Sequence, residues 1–170
     1  MDQRIEFVQG DIAECAVDAI VNAANPQLSP GGGVSGAIHR AAGVDLAKEC
    51  EELGGCPIGE ARITAGYLLR AGHVIHTVGP VWQGGGHGEA GQLASSYRES
   101  LQVAVENDIK SIAFPLISAG IYGYPIRAAI TIALTEINRF LVCDRTLERV
   151  AVVAYDEPTL ELIREIAATL

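Results

Sequence analysis

The sequence predicts an α/β fold with a largely parallel or mixed central sheet. Short runs rich in β-branched residues alternate with stretches of helical length along the whole chain. Several of these runs are apolar at nearly every position, as strands that are buried on both faces are. The 170 residues fit one hydrophobic core, so we expect a single domain over residues 1–170.

The strands follow from apolar runs of strand length, in chain order. They are predicted at residues 5–9 (IEFVQ), 19–23 (AIVNA), 61–65 (ARITA), 74–78 (VIHTV), 112–115 (IAFP) and 150–154 (VAVVA). Helices fill the gaps, at residues 35–42, 45–53, 92–107, 126–141 and 158–168. Asp45, and either Thr159 or Glu157, are placed to cap or favour the first turns of two helices. The stretch GGGHG at 84–88 is expected to be a mobile loop that serves as a plain connector.

The charge balance restricts the classes of ligand. Half of the residues are hydrophobic (49%) and 19% are charged, which indicates a well-packed globular protein. Twelve Lys and Arg residues oppose 21 Asp and Glu residues, for a net charge of -9. This balance argues against nucleic acid polymers, whose binding depends on basic side chains. Any bound phosphate would be held mostly by neutral main-chain N–H groups.

Targeting, membrane and metal signals are missing from the sequence. Residues 1–6 do not resemble a signal peptide, and no apolar run approaches the roughly 18 residues of a membrane span. We therefore expect a cytoplasmic protein that does not bind membranes. The four cysteines lack C-x-x-C spacing and are expected to be free thiols. The four histidines are not spaced as zinc-finger ligands, so no metal site is predicted.

A triple glycine near residue 31 is the strongest functional signal. Gly31, Gly33 and Gly36 satisfy the dinucleotide-binding pattern G-x-G-x-x-G, but the context is wrong. Five residues (26–30) lie between Asn25, just after the strand, and Gly31, and the acidic residues about 20 positions later fall in predicted helix 45–53. The segment still shares two properties with that motif. Its glycines let a ligand approach the backbone closely, and the N–H groups at the start of the following helix attract anions. A phosphate site is the expected function, and a tight turn is the alternative.

A second glycine turn follows the strand at 112–115. Residues 118–125 (SAGIYGYP) lead into a predicted helix, so the order of strand, glycine turn and helix occurs twice. Ligands of α/β proteins bind outside the carboxyl ends of the strands, where both turns would lie. Two groups of main-chain N–H donors would then face one pyrophosphate. Tyr122 offers a ring for stacking on a sugar, and a loop anchor is the alternative.

Five motifs in register resemble the MacroD-type macrodomains. They are NAAN at 22–25, GGGV at 31–34, GAIHRAAG at 36–43, IHTVGP at 75–80 and SAGIYGYP at 118–125. The resemblance covers nearly the whole chain. It implies a three-layer α/β/α fold with a mixed, largely parallel central sheet. It also implies ADP-ribose and its esters as ligands, mono-ADP-ribosylated proteins as partners, and no cofactor.

The resemblance assigns roles along the ligand. Asp11 would bind the adenine amino group with Ile12 beside it, and Tyr155 would pack against adenine. Asn25 would hydrogen-bond the hydroxyls of the distal ribose. Each residue also has an alternative interpretation. Asp11 could be a polar cap at a strand end, Tyr155 a tyrosine at the edge of the core, and Asn25 an ordinary turn asparagine. The loops that would hold the diphosphate comprise Gly31, Gly32, Gly33 and Val34, and Ser118, Ala119, Gly120, Ile121 and Tyr122.

The sequence departs from this family at Ser35. MacroD-type enzymes typically carry an aspartate there, which is thought to orient or deprotonate a water near the distal ribose. A serine hydroxyl is no base at neutral pH, and general-base catalysis is typically worth about 10²–10⁴-fold. Three explanations are open: a substitution made to trap a ligand, a natural slow variant, and activation of the water by the ligand's own phosphate. His39, four residues on, is expected to be structural rather than a substitute base.

Two functions are therefore weighed. The first is hydrolysis of ADP-ribosyl esters of Asp and Glu and of O-acetyl-ADP-ribose, with Asn25 and Ser35 as the catalytic residues and with activity weakened by Ser35. The second is a reader module that binds ADP-ribose without turnover. A third class, related to RNA through bacterial relatives linked to ribonuclease regulation, gains no support from the acidic charge.

Overall fold

The computed structural model describes all 170 residues as an alternation of strands and helices. The strands are β1 (Ile5–Gln9), β2 (Ala19–Ala23), β3 (Ala61–Ala65), β4 (His73–Thr77), β5 (Ser111–Phe114) and β6 (Arg149–Ala154). The helices are α1 (Gly33–Ala42), α2 (Val44–Leu53), α3 (Glu89–Glu106), α4 (Ile126–Cys143) and α5 (Glu157–Ala167). A short 3-10 turn at Ile12–Glu14 follows β1.

The six strands form one sheet in the order β1-β6-β5-β2-β4-β3. All neighbouring pairs are parallel except β3 and β4, which are antiparallel neighbours in sequence. Helices cover both faces, so the expected three-layer α/β/α architecture with a mixed, largely parallel sheet is confirmed. Five parallel strands place their carboxyl ends along the same edge of the sheet.

Each face of the sheet has its own apolar core. One core joins alternate strand residues such as Val21 and Phe114 to α3, α4 and α5, with the fully buried Leu101 and Ile137 among its members. The other core joins Ile20, Ala113 and Val153 to α1, α2 and the 3-10 turn. Successive strand residues therefore point into different cores, which explains why several of the strands are apolar at nearly every position.

Seven elements begin one to three residues before the predicted starts, and the difference is a single residue for β4, β5, β6, α2 and α5. α1 begins at Gly33, two residues before the predicted start, because the last glycine of the first loop is already helical. α3 begins at Glu89, three residues before the predicted start. The Glu89 carboxylate accepts hydrogen bonds from main-chain N–H groups of the preceding loop. No periodicity in the sequence indicates this contact.

The capping residue of α5 is Asp156, which the sequence analysis missed. Its carboxylate accepts a hydrogen bond from the Thr159 N–H at 2.9 Å, so Thr159 is the capped residue and the prediction that it caps is wrong. Glu157 lies in the first turn, where a negative charge is favoured. Asp45 likewise lies in the first turn of α2, whose N-cap is Gly43.

Two further features bear on the class of protein. All four cysteines are free thiols. None of the helices combines the length and the apolar character that crossing a membrane requires.

Candidate functional site

A cleft of about 610 Å³ opens at the carboxyl ends of the parallel strands. The segments that follow β1, β2, β4, β5 and β6 all contribute to its walls, since these ends share one edge of the sheet. Such an edge is the usual ligand site of open α/β sheets. The helix α1 begins at the cleft with its first turn, and the loop after β5 lies opposite.

The predicted site residues come together around this cleft, with one exception. The lining includes Asp11, Ile12, Asn25, Gly31, Gly32, Gly33, Val34, Ser35, Ser118, Gly120, Ile121, Tyr122 and Tyr155. Ala119 does not line it, because only the residues on either side of it in the loop face inward. Sequence reasoning missed Gly10, Ala23, Ala24, Ala37, Arg40, Gly79, Pro115, Leu116, Ile117 and Val153.

The first loop presents unpaired main-chain donors. No side chain caps α1 at its N-cap residue Gly32. The N–H groups of Gly33, Val34 and Ser35 have no acceptor within the protein, whereas the N–H of Gly36 already bonds to the Gly32 carbonyl at 3.2 Å. Free donors and the positive end of the helix dipole therefore point into the cleft, where an anion is stabilised.

The second loop has the same character. The N–H groups of Gly120, Ile121 and Tyr122 have no acceptor within the protein. The loop is closed by a hydrogen bond from the Tyr124 N–H to the Ser118 carbonyl at 2.9 Å. Ser118 adopts a φ of 65°, a left-handed conformation that is uncommon for serine.

The two loops face each other across a narrow gap. A methyl group placed on Gly32 would lie 3.2 Å from the Ile121 Cδ1, so the backbone of the first loop and a side chain of the second are in near contact. The Ile121 side chain is otherwise 81% exposed. Both sets of free N–H groups therefore border one channel of the cleft.

Gly79, after β4, is required by the packing of the second loop. A Cβ atom at this position would clash with the Ser118 Oγ and lie 2.6 Å from the Ile117 Cγ2. Such a distance is far below a normal contact, so a larger residue would push the loop outward. The IHTVGP motif at 75–80 contains this glycine, and its role follows only from the three-dimensional packing.

Asn25 and Ser35 mark one end of the cleft. The Asn25 amide is oriented by Ser29, since its Nδ2 donates to the Ser29 carbonyl at 3.1 Å and its Oδ1 accepts from the Ser29 N–H at 3.1 Å. A methyl group placed on Gly31 would lie 3.7 Å from the Ser35 Oγ and 3.8 Å from the Asn25 Nδ2. The two predicted catalytic side chains therefore lie on either side of Gly31.

Two buried hydroxyl groups in the cleft lack a partner within the protein, those of Ser35 and Ser118. Burying an unpaired hydroxyl typically costs about 1–3 kcal/mol. Neither hydroxyl makes a hydrogen bond within the protein, so each keeps an unused donor at the wall of the cleft. Neither the Ser35 hydroxyl nor the Asn25 amide is a base at neutral pH.

Asp11 and Tyr155 also line the cleft, at the ends of the adjacent strands β1 and β6. The Asp11 Oδ1 accepts a hydrogen bond from the Ala13 N–H at 2.9 Å and so caps the 3-10 turn, as the alternative interpretation expected. Its Oδ2 has no partner in the protein and remains available as an acceptor. Tyr155 is 84% exposed, which excludes a core-edge tyrosine and leaves its ring open to a flat ligand.

His39 does not line the cleft, although it lies one turn after Ser35. His39 is one of the buried residues of α1, and this burial lowers the pKa of its imidazole. Its neighbour His76 is fully buried between the Asn22 Nδ2 at 3.1 Å and the Thr64 Oγ1 at 2.9 Å, and burial lowers its pKa to about 3. Both histidines are therefore neutral at physiological pH, and their positions favour a structural role.

The glycine-rich loop before α3 is organised by a buried carboxylate. The Glu89 side chain accepts hydrogen bonds from the N–H groups of Gln83, Gly85 and His87 at 2.6–3.0 Å. In turn the Trp82 N–H donates to the Tyr122 carbonyl at 2.9 Å, and the Trp82 ring packs on Tyr124. The loop expected to be a mobile connector thus supports the second loop of the cleft.

The charge state of Glu89 predicts a pH-dependent stability. Burial acts to raise the pKa of its carboxyl, but the main-chain N–H donors outweigh it and lower the pKa from 4.5 to about 2. The stabilisation is therefore complete above the unfolded-state pKa and is lost as the pH falls from about 4.5 to 2. Urea unfolding of the wild type should show a steeper loss of stability between neutral pH and pH 3 than unfolding of Glu89→Gln.

A matched control for this comparison is Glu99→Gln, an exposed site on the same helix. That variant should retain the wild-type pH dependence, because the Glu99 side chain forms no hydrogen bond within the protein. Parallel pH profiles for the wild type and Glu89→Gln would contradict the role of Glu89 as the anchor of the loop.

Uncharged polar groups make up most of the hydrogen-bonding lining of the cleft. No group of three or more His, Cys, Asp or Glu side chains is placed to hold a metal ion. Only two charged side chains line the cleft, Asp11 and Arg40. The donors are otherwise main-chain N–H groups, hydroxyls and one amide.

Comparison with known proteins agrees with this geometry. The family model of the Macro domain matches residues 21–133. A macro domain-containing protein of Chlorobaculum tepidum is 53% identical, and the match covers 96% of this chain and 95% of the relative's sequence. A Citrobacter rodentium protein named O-acetyl-ADP-ribose deacetylase is 51% identical over 98% of this chain and 96% of its own.

A solved structure extends the comparison to the ligand. The Trypanosoma brucei macrodomain in complex with ADP-ribose superimposes with a TM-score of 0.92, at 39% identity over 97% of this chain and 69% of that one. The family match spans both the first glycine loop and the second, which are the walls of the cleft. Sequence, fold and cleft therefore place this chain in the macrodomain family.

Proposed function

We propose that this protein binds ADP-ribose in the cleft and hydrolyses ADP-ribosyl esters, O-acetyl-ADP-ribose among them. The observation that carries the proposal is the pair of main-chain donor loops that face each other across one channel. The channel connects the Asp11 and Tyr155 region to the Asn25 and Ser35 end within a single cleft. A nucleotide diphosphate joined to a second ribose has the matching order of groups.

The ligand groups would be distributed along the cleft as follows. Asp11 accepts a hydrogen bond from the adenine amino group through its free oxygen, and the exposed Tyr155 ring packs on the base. The diphosphate lies between the free N–H groups of the two loops, with the Ser118 hydroxyl as a further donor. Asn25 and Ser35 then face the hydroxyls of the distal ribose and its ester.

Hydrolysis of such an ester needs a water and an acceptor for its proton. The water oxygen bonds to the acyl carbon, the bond from that carbon to the sugar oxygen breaks, and the sugar oxygen takes up a proton. Ser35 orients the water through its hydroxyl but does not deprotonate it. A phosphate oxygen of the ligand, held between the loops, accepts the proton instead and passes it to the leaving sugar oxygen, while the carboxylic acid that forms loses its own proton to solvent. The products are ADP-ribose and a carboxylate.

The relatives support this chemistry and the substrates that follow from it. The Citrobacter rodentium protein carries the name O-acetyl-ADP-ribose deacetylase, and the match to it covers 98% of this chain. Proteins mono-ADP-ribosylated on aspartate or glutamate carry the same type of ester bond. We therefore propose them as partners in addition to the small-molecule ester.

A reader module is the second candidate, and Ser35 is the observation that favours it. Every group of the cleft that would hold ADP-ribose is a donor or an acceptor that also serves simple binding. Without a carboxylate at position 35, the protein lacks a general base of its own at this end of the cleft.

Release of acetate from O-acetyl-ADP-ribose distinguishes the two functions. We expect slow turnover above the buffer rate, and we expect it to fall further in Asn25→Ala, which removes the amide that positions the ribose. ADP-ribose that binds while the ester decays only at the buffer rate would establish the reader function. Failure of the protein to bind ADP-ribose at all would remove both candidates.

A further inference from the structure

Arg40 is the only basic side chain that lines the cleft. We propose that it selects ADP-ribosyl esters whose acyl group lies in acidic surroundings, such as a modified glutamate flanked by other carboxylates. The inference rests on the proposed function, since it assumes that ADP-ribose occupies the cleft. It adds a preference among substrates that the ADP-ribose-binding groups do not provide.

The location of Arg40 points to the acyl group rather than to the base. Side chains of a helix lean toward its N-terminus, so Arg40 reaches back along α1 toward the first turn. Its Nη1 lies 2.9 Å from the position of a methyl group on Gly36, and that position is 2.6 Å from the Gly31 carbonyl oxygen. Gly31 lies between Asn25 and Ser35, so the guanidinium borders the end of the cleft assigned to the ester.

The lack of a side chain at Gly36 makes this approach possible. A Cβ atom there would collide with both the Gly31 carbonyl and the Arg40 guanidinium. The spacing of Gly36 and Arg40, one helical turn apart, is therefore what allows the arginine to fold back over the start of α1.

The Arg40 charge is not neutralised within the protein. Its side chain is exposed and forms no ion pair, whereas seven other arginines pair with carboxylates. The protein as a whole carries a net charge of -9, which repels an acidic peptide. A free guanidinium at the mouth of the cleft offsets this repulsion locally and offers a planar pair of donors that suits a carboxylate.

The test compares two peptides that carry ADP-ribose on the same side chain through an amide link instead of an ester. Two aspartates flank the modified residue in one peptide and two asparagines in the other. Calorimetric affinities for both conjugates and for free ADP-ribose are measured with wild type, Arg40→Gln and Arg70→Gln. Arg70 is also an exposed arginine without an ion pair, and it lies in the bend before β4, outside the cleft, so its variant controls for net charge.

We expect the wild type to bind the aspartate conjugate about three- to fivefold more tightly than the asparagine conjugate at about 0.05 M salt. The preference should disappear in Arg40→Gln and at about 0.5 M salt, and should persist in Arg70→Gln. Equal affinities in the wild type, or a preference that survives Arg40→Gln, would overturn the inference. An equal loss of affinity for free ADP-ribose and the aspartate conjugate in Arg40→Gln would overturn it too, because Arg40 would then hold the diphosphate. If the wild type binds neither conjugate nor ADP-ribose, the proposed function itself fails.

Discussion

Ser35→Asp should raise the rate of O-acetyl-ADP-ribose hydrolysis about 10²-fold, the lower end of the range for general-base catalysis. The Ser35 hydroxyl is buried at the cleft without a partner in the protein, close to Gly31 and the Asn25 amide. A carboxylate at the same place can take the proton of a water that the serine can only orient. The effect should appear mainly in kcat, because the main-chain donors that hold the diphosphate are the same before and after the change.

The matched control is Ser35→Asn, which has the size of aspartate without its basicity. This variant should show no gain over the wild type, so a rise in both variants would indicate a packing effect. Equal rates for the wild type and Ser35→Asp would mean that the carboxylate is not needed in this protein. The phosphate of the substrate would then be the base in both forms.

Asp11→Ala should weaken binding of ADP-ribose by about 10- to 100-fold, the equivalent of one hydrogen bond to a charged group. Only one carboxylate oxygen of Asp11 is used inside the protein, where it caps the 3-10 turn. The other is free to accept from the adenine amino group. The affinity is measured by calorimetry with ADP-ribose and with its inosine analogue, which carries a carbonyl in place of the amino group.

The inosine analogue separates recognition from general damage to the fold. The wild type should reject it, since two acceptors would face each other, whereas Asp11→Ala should bind both ligands with similar affinity. Loss of the cap costs about 1 kcal/mol of stability, which a thermal melt measures separately. A parallel loss of affinity for both ligands would contradict the adenine assignment of Asp11.

The sequence predicted most of the architecture because local patterns determine it. Apolar runs such as residues 19–23 are buried in both cores, so their position in the sheet follows from composition alone. Both glycine loops could be placed at one edge of the sheet, because parallel strands end together. The start of α3 was missed because Glu89 begins the helix through contacts with a loop, not through its own periodicity.

The site residues that could be predicted are those whose role follows from the residue type and its place in a sequence motif. The loop glycines and Asn25 are of this kind, and they line the cleft. Arg40 and Gly79 are not, because one reaches the cleft by folding over Gly36 and the other acts by leaving room for Ser118. Such contacts between distant segments become visible only in three dimensions.

In the proposed complex, an acidic protein of net charge -9 holds a doubly charged ligand mainly with uncharged main-chain donors. Both loops rely on uncharged N–H groups, which are fixed in direction and need no counter-ion. Arg40, the one cation in the cleft, lies beside Gly31 and Gly36, at the end assigned to the ester. Binding of the diphosphate should therefore depend weakly on salt, in contrast to sites built from lysine and arginine.

A calorimetric titration with ADP-ribose at increasing ionic strength tests this claim most directly. We predict binding of one ligand per chain, with an affinity that falls less than about tenfold between about 0.05 M and 0.5 M salt. The absence of heat with millimolar ADP-ribose, or a steep decline with salt, would contradict the claim that main-chain donors hold the diphosphate.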